Sequence, residues 1–419
     1  MRDTTERRIF LNSQDRFATA CGLALQGLGL IPFAVNMLPQ EKQGFFSRLK
    51  GTFSKKKVVA AWGLDIGNSC MKAVRVTFDS DGIPVVNECY HCYYHRSDSK
   101  SKDDLETEDS RIARAETQLM NVMQSHSTPF ANEEAPIVFK ANDLQSMKRL
   151  AVEGFLHQYE YQGETICVGY PSQNLICANM ALEADTPEIA EKVIPFEFKN
   201  YLPFDEDNFL PNYMFLGDDT GENNAVRQCI HLFSTRISTL ENIIELLGEF
   251  GIVPNIMTTN LLANLNYSAF LLMSPPVSQT ETTEEVNFEP PEIESILVCD
   301  MGAIGTDLVF YNLKEILHYY VTVGGDHFTQ AIAKSLDISH ERAEGFKRNP
   351  LASGYGMEIV EALKPVVRQL VNEVMLRLER FRKNGGNLDK VIVMGSGFQL
   401  QGFADYFRKV LEASWKTAT

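Results

Sequence analysis

Twice along this chain an apolar run enters an Asp-x-Gly turn and a second apolar run leads back out. The first copy is Trp62-Gly63-Leu64-Asp65-Ile66-Gly67-Asn68-Ser69-Cys70-Met71-Lys72. The second is Val298-Cys299-Asp300-Met301-Gly302-Ala303-Ile304-Gly305-Thr306-Asp307-Leu308. Each layout predicts a strand, a tight turn and a returning strand. One such turn is commonplace in hairpins. Two copies, each followed by a strand-like run, predict a duplicated domain with a nucleotide between the halves. Glycine lets backbone N–H groups approach phosphate oxygens, and the carboxylate can hold a metal ion, usually through its waters.

The remaining periodicity fills in the other elements. Strands are expected at 60–66, 70–78 and 84–95, a polar loop at 97–110, and helices at 111–126 and 142–160. A strand at 164–169 is stopped by Tyr170-Pro171-Ser172. Residues 175–253 read as a separate α+β unit. It has a strand at 175–183 and a helix opened by Thr186-Pro187-Glu188 that runs on to about Leu202, though Pro195 interrupts it. Paired strands at 212–216 and 227–235 follow, then an amphipathic helix at 239–250 stopped by Gly251. Such a unit leaves a sheet face or edge free for a partner. Residues 274–294, with Pro275-Pro276, Pro290-Pro291 and a run of Glu and Thr, read as an acidic linker. Beyond it come strands at 296–300, 306–312 and 315–322 and a helix at 326–335. A long helix at 356–383 carries Ile359, Leu363, Val367, Leu370, Val374, Leu378 and Phe381 on one face. A strand at 390–394 and a last helix at 403–412 complete the order.

The N-terminal sixty residues change the picture. Residues 21–38 are apolar enough to raise a membrane question, but Gln26, Pro32, Asn36 and three glycines break the run. Asp3, Glu6 and Asp15 spoil a basic leader. The stretch reads as a disordered leader, or as residues ahead of the true start. Residues 42–57 are strongly basic, with Phe45, Phe46, Leu49 and Phe53 at near-helical spacing. They suit either an anionic membrane surface or a solvated linker.

Composition narrows the class. A chain of 419 residues, 44% hydrophobic and 22% charged, is expected to fold as a soluble protein of several domains. A net charge of −16 argues against general nucleic-acid binding. Eight scattered cysteines, among them Cys167, Cys177, Cys229 and Cys299 inside apolar runs, read as buried thiols of a reducing compartment. Cys89 and Cys92, flanked by His91 and His95, have half a zinc-site spacing. A strand puts them on opposite faces and no second pair exists, so no metal is expected there.

In order, the chain reads Gly-x-Asp-x-Gly-x-x-x-x-Lys, the second Asp-x-Gly turn, Gly324-Gly325-Asp326-His327-Phe328-Thr329, Glu344-x-x-Lys347 and Gly395-Ser396-Gly397. That order resembles the actin/Hsp70/sugar-kinase superfamily. Within it, about residues 41–412 look most like the PilM-like proteins of type IV pilus and type II secretion machines and their relative FtsA. Specific to that branch are Lys199-Asn200-Tyr201-Leu202-Pro203-Phe204-Asp205-Glu206, Leu246-Leu247-Gly248-Glu249-Phe250-Gly251-Ile252-Val253-Pro254 and Ala343-Glu344-Gly345-Phe346-Lys347-Arg348.

The resemblance implies an α/β fold of duplicated actin-like (ribonuclease H-like) domains with an inserted α+β module. It divides the chain into an extension (1–59), a first domain (60–174 with 254–273), a partner-binding module (175–253), a linker (274–295) and a second domain (296–419). It also implies ATP or ADP with Mg2+. Asp65 and Asp300 would face the metal-bound phosphates, with Gly67, Asn68, Ser69 and Lys72 on one side and Gly302, Gly305 and Thr306 on the other. Gly324 and Gly325 would close over the phosphates, Glu344 and Lys347 would reach the ribose, and Gly395, Ser396 and Gly397 the adenosine. No residue stands out as a base for hydrolysis, so binding with at most slow ATPase activity is expected.

By resemblance the partners are the N-terminal tail of a bitopic inner-membrane protein (PilN-like) and motor components. The protein would be cytoplasmic, peripheral at the inner membrane. The competing readings are an FtsA-like filament-forming tether and a sugar-kinase-like phosphotransferase, though no sugar pocket is evident. PilM-like chains usually continue beyond the point matching Thr419, and 348–365 is short. The last part of the fold and the fourth subdomain are therefore expected to be reduced.

Overall fold

The computed structural model describes residues 14–38, 58–96, 137–141, 143–202, 208–220, 225–273, 295–383 and 386–416. The basic segment 42–57, the helix expected at 111–126 and the linker 274–294 lie outside them.

The first domain is a six-stranded sheet ordered β4-β3-β2-β1-β5-β9. Its strands are β1 (Ala60–Ile66), β2 (Cys70–Phe78), β3 (Pro84–Arg96), β4 (Ile137–Ala141), β5 (Thr165–Tyr170) and β9 (Ile256–Thr259). The second domain's sheet is ordered β12-β11-β10-β13, from β10 (Ser295–Met301), β11 (Thr306–Asn312), β12 (Ile316–Val321) and β13 (Lys390–Met394). The duplication is explicit in the pairing. In each domain a three-stranded antiparallel meander comes first, and a later strand lies parallel to its first strand, β5 on β1 and β13 on β10.

Central strands buried on both faces lose the polar alternation of a half-exposed strand. Every residue of β1 is buried. In β10 the two faces serve different cores. Ile296 and Val298 join the core shared with the first domain, whereas Leu297, Cys299 and Met301 join the second domain's own core. That second core is closed by Phe328 and Ile332 of one helix (Gly325–Leu336) and by Ile359, Leu363, Leu370, Val374, Leu378 and Phe381 of the long helix Gly356–Lys383.

The inserted module is a three-stranded sheet, β6-β8-β7, built from β6 (Leu175–Glu183), β7 (Phe209–Thr220) and β8 (Val226–Arg236). The helix Pro187–Tyr201 packs on it through Ala190, Ile194 and Phe198 and continues through Pro195 to about the end expected from sequence. The apolar stripe is long enough to hold the helix despite one missing N–H donor. The module is tied to the second domain: Asn179 Nδ2 donates to Ile316 O (2.9 Å), and Ile316 N–H donates back to Asn179 Oδ1 (3.1 Å).

The largest departure from expectation is at the N-terminus. Residues 18–27 form a helix, α1 (Ala18–Gly27), every residue of which is buried. It packs on β1, β2, β5 and the helix α5 (Asn260–Met273). (Between them in chain order lie α2, Leu144–Gln158, α3, Pro187–Tyr201, and α4, Ile237–Gly248.) The approach is close enough to need glycine: a side chain at Gly22 would run into the Ala263 carbonyl, and one at Gly63 into the Ala20 carbonyl. The stretch read as a disordered leader is thus part of the core. Its small residues, which weakened it as a membrane span, are what let backbones meet. Among the described residues, no helix is long and apolar enough to cross a membrane.

Candidate functional site

The two Asp-x-Gly turns are built alike. Gly67 N–H donates to Cys70 O (3.0 Å), and Gly302 N–H donates to Gly305 O (2.9 Å). Register places Asp65 opposite Lys72 and Asp300 opposite Asp307. The first pair is a buried ion pair, with Lys72 Nζ 3.1 Å from Asp65 Oδ2. Burial alone would favour loss of the Lys72 proton, but the carboxylates of Asp65 and Asp300 outweigh it and raise its pKa. Asp300 has the opposite surroundings. Desolvation and then the Asp307 carboxylate push it up to about 6, against the pull of Lys72 and of Asn264, whose Nδ2 donates to Asp300 Oδ2 (2.8 Å). Asp307 is itself held by His318 Nε2 at 2.7 Å.

The second-half residues picked out by the sequence converge. Gly325 N–H donates to Gly302 O (2.9 Å) and Asp326 N–H to Ala303 O (2.8 Å), which fastens the Gly324-Gly325 loop to the second turn. Gly305 packs beneath the Tyr320 ring. Thr306 is fully buried and its hydroxyl donates to Val323 O (2.7 Å). On α7 (His340–Arg348), which follows α6 (Gly325–Leu336), Lys347 Nζ donates to Gly325 O (3.1 Å) and Thr329 Oγ1 (2.7 Å) and pairs with Glu344 at 2.6 Å. Burial opposes ionisation of Glu344, yet the Lys347 ammonium and the Thr329 hydroxyl hold it at about 2. The turn at Gly395, Ser396 and Gly397 abuts Asp300 and Met301. Gly395 has φ +91°, and any side chain there would meet Asp300 Oδ1 and the Met301 carbonyl. In the first half, Asn68 and Ser69 are half-buried in their turn, and Ser69 O accepts Tyr94 N–H (2.9 Å).

Several contributors were not anticipated. The Arg348 guanidinium lies 4.0 Å from the centroid of the Tyr93 ring, linking α7 to β3. Arg16 Nε donates to Gln399 Oε1 (2.8 Å), and Asp15 O accepts the Gly395 N–H (2.9 Å). Thr19 Oγ1 donates to Asn264 Oδ1 (2.8 Å), so α1 reaches Asp300 through one side chain. His91, opposite Lys72 in register, has its pKa lowered well below the usual value by burial and by Arg16, Lys72 and Arg348. The signal within reach of sequence reasoning was Asn260, Asn264 and Asn266 in an otherwise apolar run, because buried amides demand partners.

A family model described as type IV pilus assembly protein PilM matches residues 140–418. The chain belongs to this family. A chain of the PilM-PilN type IV pilus biogenesis complex is 19% identical, with a TM-score of 0.56, covering 84% of this chain and 86% of its own. The ethanolamine utilization protein EutJ from Carboxydothermus hydrogenoformans is 14% identical (TM-score 0.42, 97% of this chain and 90% of that one). Ta0583, an archaeal actin homolog, is also 14% identical (TM-score 0.35, 85% and 92%). No curated protein matches. The first likeness is one of fold and agrees with the duplicated actin-like architecture expected from sequence. The PilM family match starts after the first Asp-x-Gly hairpin, so equivalence of the two hairpins rests on their shared register.

Proposed function

We propose that this PilM-family chain is an actin-like, nucleotide-binding scaffold of a type IV pilus or type II secretion inner-membrane complex. ATP or ADP with Mg2+ is held between the two hairpins. Asp65 and Asp300 carry the metal, Lys72 and the turns around Gly67 and Gly302 meet the phosphates, Glu344 and Lys347 the ribose, and Ser396 and Gly397 the adenosine. The observation carrying this reading is the convergence of the second turn, the Gly324-Gly325 loop and the Gly395 turn around Asp300, a carboxylate that faces Asp307 across the hairpin and would suit a divalent cation. Mg2+ would neutralise phosphate charge there, and Lys72 and Arg348 provide the protein's own cations.

Thermal-shift measurement tests this directly. Millimolar Mg-ATP is expected to raise the melting temperature of the wild type and to leave Asp300→Ala unmoved. A flat wild-type response would reduce the reading to an actin-like fold without ligand. Turnover is expected below about one per second, under most of the usual enzyme range. Faster steady-state phosphate release would overturn the scaffold assignment.

On the partner side, the PilM of the solved complex assembles with PilN. For this chain we assign the same class of partner, the cytoplasmic N-terminal tail of a bitopic inner-membrane protein. It binds between the first domain and the module at 175–253, while motor components engage elsewhere. Deleting the module should abolish tail-peptide binding in fluorescence polarisation, and unchanged binding would exclude the groove.

A further inference from the structure

The outer edge of the six-stranded sheet is β9, whose other side is paired to β5. A free edge of this kind is a template for another extended segment. Here it is taken by the chain's own residues 33–38. Met37 N–H donates to Met257 O (2.8 Å). Where a paired strand would offer a carbonyl to the Met257 N–H, the side chain of Asn36 does so instead, through Oδ1 at 3.1 Å. Asn36 Nδ2 donates to Asn255 O (3.1 Å), and Asn36 Oδ1 also accepts Leu38 N–H (3.1 Å). One carboxamide thus clips the segment to two backbone positions of the sheet edge and shapes its own backbone.

The flanking positions alternate as a strand's would. Phe33, Val35 and Met37 are buried, and Ala34 is exposed. The Phe33 ring sits 5.2 Å from that of Tyr311 in the second domain, and both backbone polar groups of Phe33 are bonded by Asn266. All these contacts are with side chains or a single backbone bond, not with a full ladder. Its backbone is therefore bonded to the edge less completely than a regular strand's, and much of its hold comes from Phe33, Val35 and Met37 in the core.

We infer that residues 33–38 are a displaceable occupant of a peptide-accepting edge. Another polypeptide's extended segment, with Asn between two apolar residues, can replace them on β9 and remake the same bonds to Asn255 and Met257. The chain then carries its own competitor, and partner access depends on release of this segment. The inference rests on the scaffold reading only in taking the incoming partner to be an extended tail.

The test uses the full chain and a fluorescein-labelled peptide of residues 31–38, Ile-Pro-Phe-Ala-Val-Asn-Met-Leu. Asn36→Ala in the protein removes the clip from the internal segment. It is expected to tighten binding of the peptide by about tenfold over wild type, the equivalent of one or two net hydrogen bonds. A peptide with Ala in place of its Asn should lose that gain. Amide exchange at Met257, slow in wild type, should speed up in Asn36→Ala and slow again when the peptide is added. This readout also tells a folded variant from an unfolded one. Equal peptide affinity for both proteins, or Met257 exchange indifferent to peptide, would overturn the inference. If a membrane-protein tail binds wild type and Asn36→Ala equally, the scaffold reading stands and this one falls. If the 31–38 peptide behaves as expected while no tail binds either protein, the edge assignment stands and the scaffold reading falls.

Discussion

The two Asp-x-Gly hairpins have the same turn bond, the same antiparallel register and the same parallel neighbour, yet opposite electrostatics. Across from Asp65 stands Lys72, and across from Asp300 stands Asp307. The first hairpin is neutralised internally by a buried ion pair, whereas the second sets two carboxylates face to face, one of them held by His318. Duplication preserved the backbone and let one cross-strand position decide the chemistry. The first half thus holds a buried cation beside its turn, and the second a pair of facing carboxylates.

Breaking the first hairpin should have the largest effect. Lys72→Met leaves Asp65 buried without its partner, which typically costs about 3 kcal/mol or more. Chemical denaturation should show that loss in the midpoint with the slope unchanged, and a loss under about 1 kcal/mol would mean that water already reaches Asp65.

The second hairpin should reveal itself through pH. The folded Asp300 carboxyl sits at about 6, above the about 3.9 of an unfolded aspartate. The folded chain therefore binds more protons between those values. The resulting stabilisation is fully present below the unfolded value and is lost as pH rises through about 6. Asp300→Asn should flatten that part of the melting-temperature profile, and Asp307→Asn should move the inflection to lower pH. Parallel profiles for wild type and both variants would show that the two carboxylates do not interact.

A smaller effect is expected where α1 meets the second hairpin. Thr19→Val removes the bond to Asn264 and should cost about 1 kcal/mol. Because Asn264 also bonds Asp300, the variant should shift the same pH inflection slightly, which a purely local packing change would not do.

What could be read from the sequence follows from where each signal originates. The hairpins, the β6–β8 pairing and the long helix 356–383 carry their periodicity within a few residues, so local pattern sufficed. Sequence alone did not give β4, which has five residues, or β9, which has four; α5 is apolar nearly all round, so it shows no amphipathic stripe. Glycine turns and the Glu344-x-x-Lys347 spacing marked the site locally. Arg348 over Tyr93, Asp15 against Gly395 and Thr19 beside Asn264 become neighbours only through the fold, and no local pattern announces them. The apolar stretch at 21–38 is legible in the sequence, but what it packs on is not. Its polar interruptions counted against a membrane span, but Gln26 and Asn36 are partnered by Val35 O and by the β9 edge.

The buried α1 also has a consequence for how the chain is made. Arg16 meets Gln399 across 383 residues of sequence, and Asn266 meets Phe33 across 233. Part of the cover of α1, strands β1 and β2, follows it closely in sequence, whereas β5 and α5 are added only from mid-chain. Until α5 is made, the face of α1 that meets it has nothing to pack on, and closure of so long a loop is slow. Chaperone dependence during expression, and refolding in which the N-terminal segment is the last to gain protease protection, are the kinetic signature of that arrangement.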